Sequence, residues 1–318
     1  MKKIGILTSG GDAPGMNAAV RSVVRAAISL GIEVVGIRKG YNGLMDGDFI
    51  RLDARSVSDI INRGGTFLFS ARSPMFKTEE GMQKAVDNCK KEGIEGIVVL
   101  GGDGSFRGAR DLTERGILCV AIPCTIDNDI ASTEYTIGFD TALNTAVEMI
   151  DRIRDTAQSH DRCSVVEVMG RNAGYIALHT GIAVGATAIL IPEEKVDINS
   201  VIAKIKETQK NGRMHFIVIV AEGVGGIEDI AKQIVEETGI DTKTTVLGHV
   251  QRGGTPTLRD RLVATQMGYA AVQLLNQGIG NRVVCMRGEE IVDEDIQKAL
   301  QMQKSLDVDL IKITEAVS

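Results

Sequence analysis

Two hydrophobic periods alternate along the chain. Short apolar runs at residues 3–8, 33–38, 96–100, 118–122, 164–168, 188–191, 216–220, 244–247 and 283–286 read as strands. Between them, apolar residues recur at spacings of three and four. That spacing predicts helices over 14–30, 81–92, 105–115, 139–153, 172–184, 200–210, 228–238 and 259–275. The clearest is 139–153, where Phe139, Ala142, Leu143, Ala146, Val147, Ile150 and Ile153 fall on one face. The strands are rich in Val and Ile and lack polar alternation, so both faces are expected to be buried. Strands of that kind alternating with helices imply parallel sheets covered on both sides, an α/β fold. In such sheets ligands collect beyond the C-terminal ends of the strands.

Length and composition refine this picture. A chain of 318 residues exceeds the size at which one core stops growing, so two domains are expected. The formal net charge is −6 and no basic run is present, which argues against a nucleic-acid partner. No apolar run reaches membrane-spanning length. The apolar stretch after Met1 is too short for a secretion signal and reads as the first strand. Five cysteines (Cys89, Cys119, Cys124, Cys163 and Cys285) show no Cys-x-x-Cys spacing, which fits free thiols in a reducing cytoplasm. Glycine is abundant (36 residues) and proline scarce (5), as expected where loops bring backbone close to a ligand.

The chemistry-bearing motifs fall at expected strand ends. Thr8-Ser9-Gly10-Gly11-Asp12-Ala13-Pro14-Gly15-Met16-Asn17 is neither a dinucleotide fingerprint nor a Walker A loop. It offers backbone N–H groups at a helix start, which suits a phosphate or is simply a tight turn. Gly101-Gly102-Asp103-Gly104-Ser105 reads as a phosphate and metal loop or as an Asp/Ser helix cap. Thr125-Ile126-Asp127-Asn128-Asp129 follows the fourth strand. If extended, it aims Asp127 and Asp129 at one volume, as a general base and a metal-side carboxylate; the alternative is a polar loop. Arg72, Lys77, Arg162, Arg171 and Arg252 fall at expected loop ends, where arginine clamps phosphoryl oxygens. His249 lies in the glycine-rich Gly-His-Val-Gln-Arg-Gly-Gly loop, while His160 and His179 have no such setting.

These motifs stand in one order along one chain, together with Ile-Asn-Arg-Gly-Gly-Thr at 61–66 and Val-Met-Gly-Arg at 168–171. The combination closely resembles the bacterial 6-phosphofructokinase family, nearly end to end. The resemblance implies two three-layer α/β/α domains with mostly parallel sheets. Residues 1–138 plus 251–301 would bind ATP, and residues 139–250 plus 302–318 would bind fructose 6-phosphate. The last segment would cross back between the domains. The reaction implied is phosphoryl transfer from ATP to the 1-hydroxyl of fructose 6-phosphate with Mg²⁺, in a cytoplasmic homotetramer. Gly11, Arg72, Ser73, Phe76, Lys77, Gly102, Asp103, Gly104 and Ser105 would hold ATP. Asp103 and Asp129 would serve the metal. Thr125, Ile126, Asp127, Met169, Gly170, Arg171, Glu222, His249, Val250, Gln251 and Arg252 would face the sugar phosphate. Arg162 and Lys243 would reach in from a neighbouring subunit. Asp127 would be the base, with Arg72, Arg171, Thr125 and Asp129 completing the catalytic set.

The resemblance further implies an effector site for ADP as activator and phosphoenolpyruvate as inhibitor. It would be built from Arg21, Arg25, Asp59, Arg154, Gly185, Thr187, Asn211, Arg213 and His215. Four positions depart from the family's usual residues. Cys124 stands where ATP users carry Gly and pyrophosphate users Lys; Lys243 stands for Arg, Thr187 for an acid and Asn211 for a base. The alternatives on the same fold are a pyrophosphate-dependent enzyme and a non-catalytic sensor. Retention of Asp127, Asp129, Arg72 and Arg171 argues against the sensor, and a Rossmann dehydrogenase lacks its glycine fingerprint.

Overall fold

The computed structural model describes residues 1–317, so Ser318, the end of the expected 302–318 segment, lies outside the described residues. Its packing separates two units. One comprises Met1–Ile126, Ile130–Thr141 and Arg252–Lys304; the other comprises Asp127–Asp129, Ala142–Gln251 and the segment from Ser305 on.

The chain begins with β1 (Lys3–Thr8), α1 (Met16–Ser29), β2 (Glu33–Ile37), α2 (Gly40–Asp46), β3 (Phe49–Leu52), α3 (Glu79–Glu92), β4 (Gly96–Gly101), α4 (Asp103–Glu114) and β5 (Leu118–Pro123). It continues through α5 (Phe139–Ser159), β6 (Cys163–Val168), α6 (Tyr175–Ala183), β7 (Ala188–Leu190), α7 (Ile198–Lys210), β8 (Phe216–Ala221), α8 (Ile227–Thr238) and β9 (Thr242–Val246). It closes with α9 (Leu258–Asn276), β10 (Arg282–Arg287), β11 (Glu290–Asp295), α10 (Ile296–Ala299) and α11 (Val308–Val317).

The first unit is built on a seven-stranded sheet in the order β3, β2, β1, β4, β5, β10, β11. Its interior pairs are parallel, while β3 and β11 join the edges antiparallel. Register is what matters for function. Thr8 pairs with Leu100, and Gly101 pairs with Pro123, so β1, β4 and β5 end level with one another. Their three following loops therefore leave one edge of the sheet together. The sheet core is apolar because β4 and β5 carry Ile97, Val98, Val99, Leu100, Val120, Ala121 and Ile122, all without exposed surface. The second unit is a four-stranded parallel sheet in the order β7, β8, β6, β9. Val168 pairs with Ala221 and Glu167 with Val246, so β6, β8 and β9 also end at one edge. Phe216, Val218 and Val220 of β8 pack with Ile202, Ile205 and Ile234 of the covering helices.

Several elements differ from the expectation. Helix α1 starts at Met16 and not at Pro14, because Gly15 sits at φ +105, which ends helical geometry on its N-terminal side. Helix α4 starts at Asp103, so Asp103 and Gly104 lie inside its first turn and not in a loop before it. Helix α6 starts three residues late, at Tyr175, after Gly170 and Arg171 at φ +141 and +55. Strands β3 and β11 and helix α2 were not expected. As edges, the two strands need no apolar run, and α2 has two glycines in seven residues.

Candidate active site

In the first unit, the loop after β1 brings glycines and a cation together. Arg252 donates through Nη1 to the Asp12 carbonyl at 3.3 Å. A methyl group at Gly11 would stand 2.6 Å from the same nitrogen, so a side chain there would displace this guanidinium. The loop after β4 is packed just as tightly on its inner side: a methyl at Gly101 would meet Ser105 Oγ at 2.4 Å and the Ser9 carbonyl at 2.6 Å. Its outer side is open. Apart from its own stretch of chain, nothing lies within 4 Å of where a methyl on Gly102 or Gly104 would be. Asp103 is exposed in the first turn of α4, where the helix dipole favours an acid.

Arg72 and Lys77 are exposed, as expected of phosphate ligands, but Phe76 is buried between them. It stacks on Tyr41 with ring centroids 4.0 Å apart and an angle of 12°. Tyr41 in turn donates its hydroxyl to the Ser105 carbonyl at 2.6 Å. Ser73 Oγ accepts from the Phe76 amide at 3.3 Å. Tyr41 thus ties the Arg72–Lys77 stretch to the start of α4. Sequence reasoning missed it because α2 was hidden; the only signal was an aromatic beside two glycines.

The stretch after β5 is not extended. Asn128 lies at φ +51 and turns the chain. Asp127 is buried, 3% exposed, and Asp129 is exposed. The expectation that both carboxylates share one face by strand geometry is therefore corrected: Asn128 takes a left-handed turn between them, with Ile126 and Ile130 buried on either side. Asp127 Oδ1 is buried and accepts no hydrogen bond, although the residue has other interactions. Cys124 is 1% exposed, and burial holds its thiol well above its ordinary range.

In the second unit, the ends of β6, β8 and β9 gather the remaining residues. Glu222 Oε1 accepts the Gly170 amide at 3.1 Å and also the Arg171 amide. This holds Arg171 in its left-handed conformation, with its side chain exposed. Gln251 has no exposed surface; its Oε1 accepts the Met169 amide at 3.3 Å and its Nε2 donates to the Gly248 carbonyl at 3.0 Å. Glu222 and Gln251 thus support backbone, while His249 and Val250 are exposed. Arg162 and Lys243 meet on one acid: Asp241 lies 2.6 Å from Arg162 Nε and 3.0 Å from Lys243 Nζ. The Lys243 hydrogen bond, then the two positive charges, lower the Asp241 carboxyl. Burial, then the charge of Glu222, raises Glu167 on β6.

The expected effector residues fall in both units. In the second, Arg154, Arg213 and His215 are close enough to disturb one another. Burial first, then the two guanidiniums, lower His215, and Arg154 is lowered by burial and Arg213. Gly185 is exposed at φ +58, Thr187 is buried and Asn211 ends α7. Thr187 Oγ1 accepts the Ile217 amide at 3.4 Å, which makes its place structural. In the first unit, Arg21 and Arg25 lie one turn apart on α1, Arg25 donates to the Ala54 carbonyl at 3.4 Å, and Asp59 is exposed at φ +56. Among the described residues no group of three or more His, Cys, Asp or Glu side chains could hold a metal ion, and no helix is long and apolar enough to cross a membrane.

The phosphofructokinase family model matches residues 3–275. The ATP-dependent 6-phosphofructokinase of Bacillus mycoides is 55% identical over 318 residues, the whole of both chains. That of Clostridium tetani is 54% identical over the same span. Among solved structures, phosphofructokinase from Saccharomyces cerevisiae superposes with a TM-score of 0.89 at 36% identity, covering 95% of this chain. This chain spans 45% of the yeast chain's length. A pyrophosphate-dependent phosphofructokinase from Marinobacter aquaeolei has a TM-score of 0.86, covering 97% of this chain and 86% of that one; at 21% identity the likeness is one of fold alone. With a family model over most of its length and relatives above half identity end to end, this chain belongs to the phosphofructokinase family.

Proposed function

We propose that this chain transfers the γ-phosphoryl group of ATP to the 1-hydroxyl of fructose 6-phosphate, releasing fructose 1,6-bisphosphate and ADP. What carries the reading is full-length identity of 54–55% to relatives named for ATP-dependent 6-phosphofructokinase. The local geometry supports the division of roles. The first unit would serve as the nucleotide domain. Gly11, Gly102, Asp103, Gly104 and Ser105 would hold the phosphates, the open side being at Gly102 and Gly104, with Arg72, Ser73 and Lys77 as further ligands and Phe76 as apolar support. The second would serve as the sugar-phosphate domain, with Met169, Gly170, Arg171 and His249 as ligands, and Glu222 and Gln251 holding their backbone. Arg162 and Lys243 would take the 6-phosphate of a neighbouring subunit's substrate in a homotetramer. Arg252, beside Gly11, would face this chain's own sugar phosphate.

Asp127 is the proposed general base. Its carboxylate takes the proton of the 1-hydroxyl as the sugar oxygen bonds to the γ-phosphorus, and the bond from phosphorus to the bridging oxygen of ADP breaks. Such a base contributes roughly 10²–10⁴ in rate. Arg72 and Arg171 balance the charge on the moving group, and Thr125 orients the hydroxyl. Asp103 and Asp129 are the carboxylates assigned to Mg²⁺. The donor set fits: two hard carboxylates without an all-protein cage suit an ion that arrives with substrate phosphates. When bound, the ion neutralises phosphate oxygens. Cys124, buried and neutral, brings no charge that would favour pyrophosphate over ATP.

Regulation by ADP and phosphoenolpyruvate is proposed at Arg21, Arg25, Asp59, Arg154, Gly185, Thr187, Asn211, Arg213 and His215; the two guanidiniums of Arg154 and Arg213, close enough to disturb each other, would welcome an anion. A cytoplasmic setting suits the five buried free thiols. The test is initial rate against fructose 6-phosphate with ATP and Mg²⁺, repeated with pyrophosphate and with each effector. Product with ATP alone as donor is expected. Product with pyrophosphate and none with ATP would overturn the donor, and no product with either would overturn the reaction.

A further inference from the structure

The carboxylate of Asp260 has no place in the roles above, yet it has no exposed surface and a dense set of partners. It is the third residue of α9. Its Oδ1 accepts the Tyr135 hydroxyl at 2.5 Å and the Gly138 amide at 2.7 Å. Its Oδ2 accepts the Thr141 amide at 2.9 Å and the Thr141 hydroxyl. The Thr141 oxygen also accepts the amide of Thr257, the residue that caps α9, at 3.0 Å. The first amides of α5 and the first turn of α9 thus converge on one anion, as two helix dipoles favour.

What this carboxylate holds leads directly to the end of β5. The Ile137 amide donates to the Pro123 carbonyl at 3.0 Å, the Thr125 amide to the Ile137 carbonyl at 3.1 Å, and the Thr136 hydroxyl to the Thr125 carbonyl at 2.7 Å. Thr125 therefore takes its place from residues 135–138, which Asp260 clamps from both ends. The glycine loop is fitted to the same clamp. A methyl on Gly15 would stand 2.6 Å from Ile137 Cγ2 and 3.5 Å from Asp260 Cβ.

We propose that Asp260 is a positioning residue for phosphoryl transfer, whose carboxylate fixes the start of α5 and through it the backbone of Thr125. The proposal rests on the phosphotransferase reading above. An amide cannot substitute, because each carboxylate oxygen accepts one backbone N–H. Whichever way an asparagine is turned, its NH₂ group faces the amide of Gly138 or of Thr141. Burial raises its carboxyl above the ordinary range in spite of the four hydrogen bonds it accepts.

The test compares Asp260→Asn, Thr141→Val and Thr141→Ser with the wild type. It reads kcat, KM for both substrates, the thermal midpoint, and hydrogen exchange at the Thr125 and Ile137 amides. In Asp260→Asn, kcat should fall by about tenfold or more, with smaller changes in KM. Its midpoint should fall, because opposed N–H groups are left buried, and the two amides should exchange faster while those of β4 do not. Thr141→Ser, which keeps the hydroxyl, should match the wild type, and Thr141→Val should follow Asp260→Asn. A kcat per folded enzyme within about twofold of wild type in both Asp260→Asn and Thr141→Val would overturn the proposal. So would unchanged exchange at Thr125 and Ile137. If Asp260→Asn does not fold, the Val/Ser pair decides. A wild type without fructose 6-phosphate kinase activity would sink the reaction, and the exchange arm would then decide the clamp by itself.

Discussion

Replacing Gly138 by alanine tests the packing that seats the first glycine loop. Gly138 has φ +106, outside the range a side chain tolerates, and its added methyl would stand 2.6 Å from Ala13 Cβ and 3.3 Å from Pro14 Cδ. Ala13 is fully buried, so it has nowhere to retreat. The backbone strain costs about 1–3 kcal/mol. Overpacking against a rigid neighbour adds about 1–3 kcal/mol, so the loss should be about 2–6 kcal/mol. Ala13→Gly in the same chain separates the two contributions. Alone it should cost about 1–2 kcal/mol, for a lost methyl and a freer backbone. Combined with Gly138→Ala it removes the clash and leaves the strain, so the pair should couple favourably by about 1–3 kcal/mol. A chain of two units need not unfold in one step, so the losses are best read from hydrogen exchange of β1 and β4 amides in urea. The KM for ATP should rise in Gly138→Ala and recover in the double variant. A loss below about 1 kcal/mol would refute the strained backbone, and strict additivity would refute the contact with Ala13.

Asp127→Ser should lower kcat by roughly 10²–10⁴ and leave the KM for ATP nearly unchanged, because the lost group acts on the sugar hydroxyl; turnover within about tenfold of wild type rules out Asp127 as the base. Tyr41→Phe removes the bond to the Ser105 carbonyl but keeps the stack on Phe76, so hydrogen exchange of β1 and β4 amides in urea should show a loss of about 1 kcal/mol and the KM for ATP should rise only slightly. None of the five cysteines should react with a thiol reagent in the native protein at neutral pH, and all five should react in denaturant. Burial pushes Cys89 and Cys163 up to about 12 from an ordinary 9.0, so the neutral thiols' share of stability is complete below pH 9.0 and declines as pH rises towards 12; an alkaline titration by circular dichroism with Cys→Ser controls checks the sign.

The parts of this fold that could be read in the sequence are those where local chemistry and burial agree. Interior strands of both sheets are apolar on both faces, so their runs stand out; level parallel registers then carry the motifs after β1, β4 and β5 to one edge. The edges β3 and β11 are half exposed, and α2 is too rich in glycine to show a period. Thr187, expected at an effector site, also has a structural part that no local pattern marks: its hydroxyl accepts an amide of β8. The clamp at Asp260 was beyond reach for another reason. Its partners lie 119 to 125 positions away, and no local pattern marks the pairing.

The acidic stretch after β5 folds with a geometry different from the one its spacing suggests. The argument for a shared site assumed an extended chain, in which residues two apart face alike. The residue between the two acids is asparagine, among the non-glycine residues most tolerant of left-handed backbone, and it takes that conformation. The turn gives each acid a different setting: Asp127 is withdrawn from solvent, where its basicity depends on what is placed beside it, and Asp129 is left in water, where a hydrated cation can reach it. An extended stretch would have given both acids one environment and set two like charges against each other. The assignment of one as base and the other as metal-side carboxylate therefore rests on the bend at Asn128. Asn128→Val, which resists positive φ, should damage turnover nearly as much as loss of Asp127 itself.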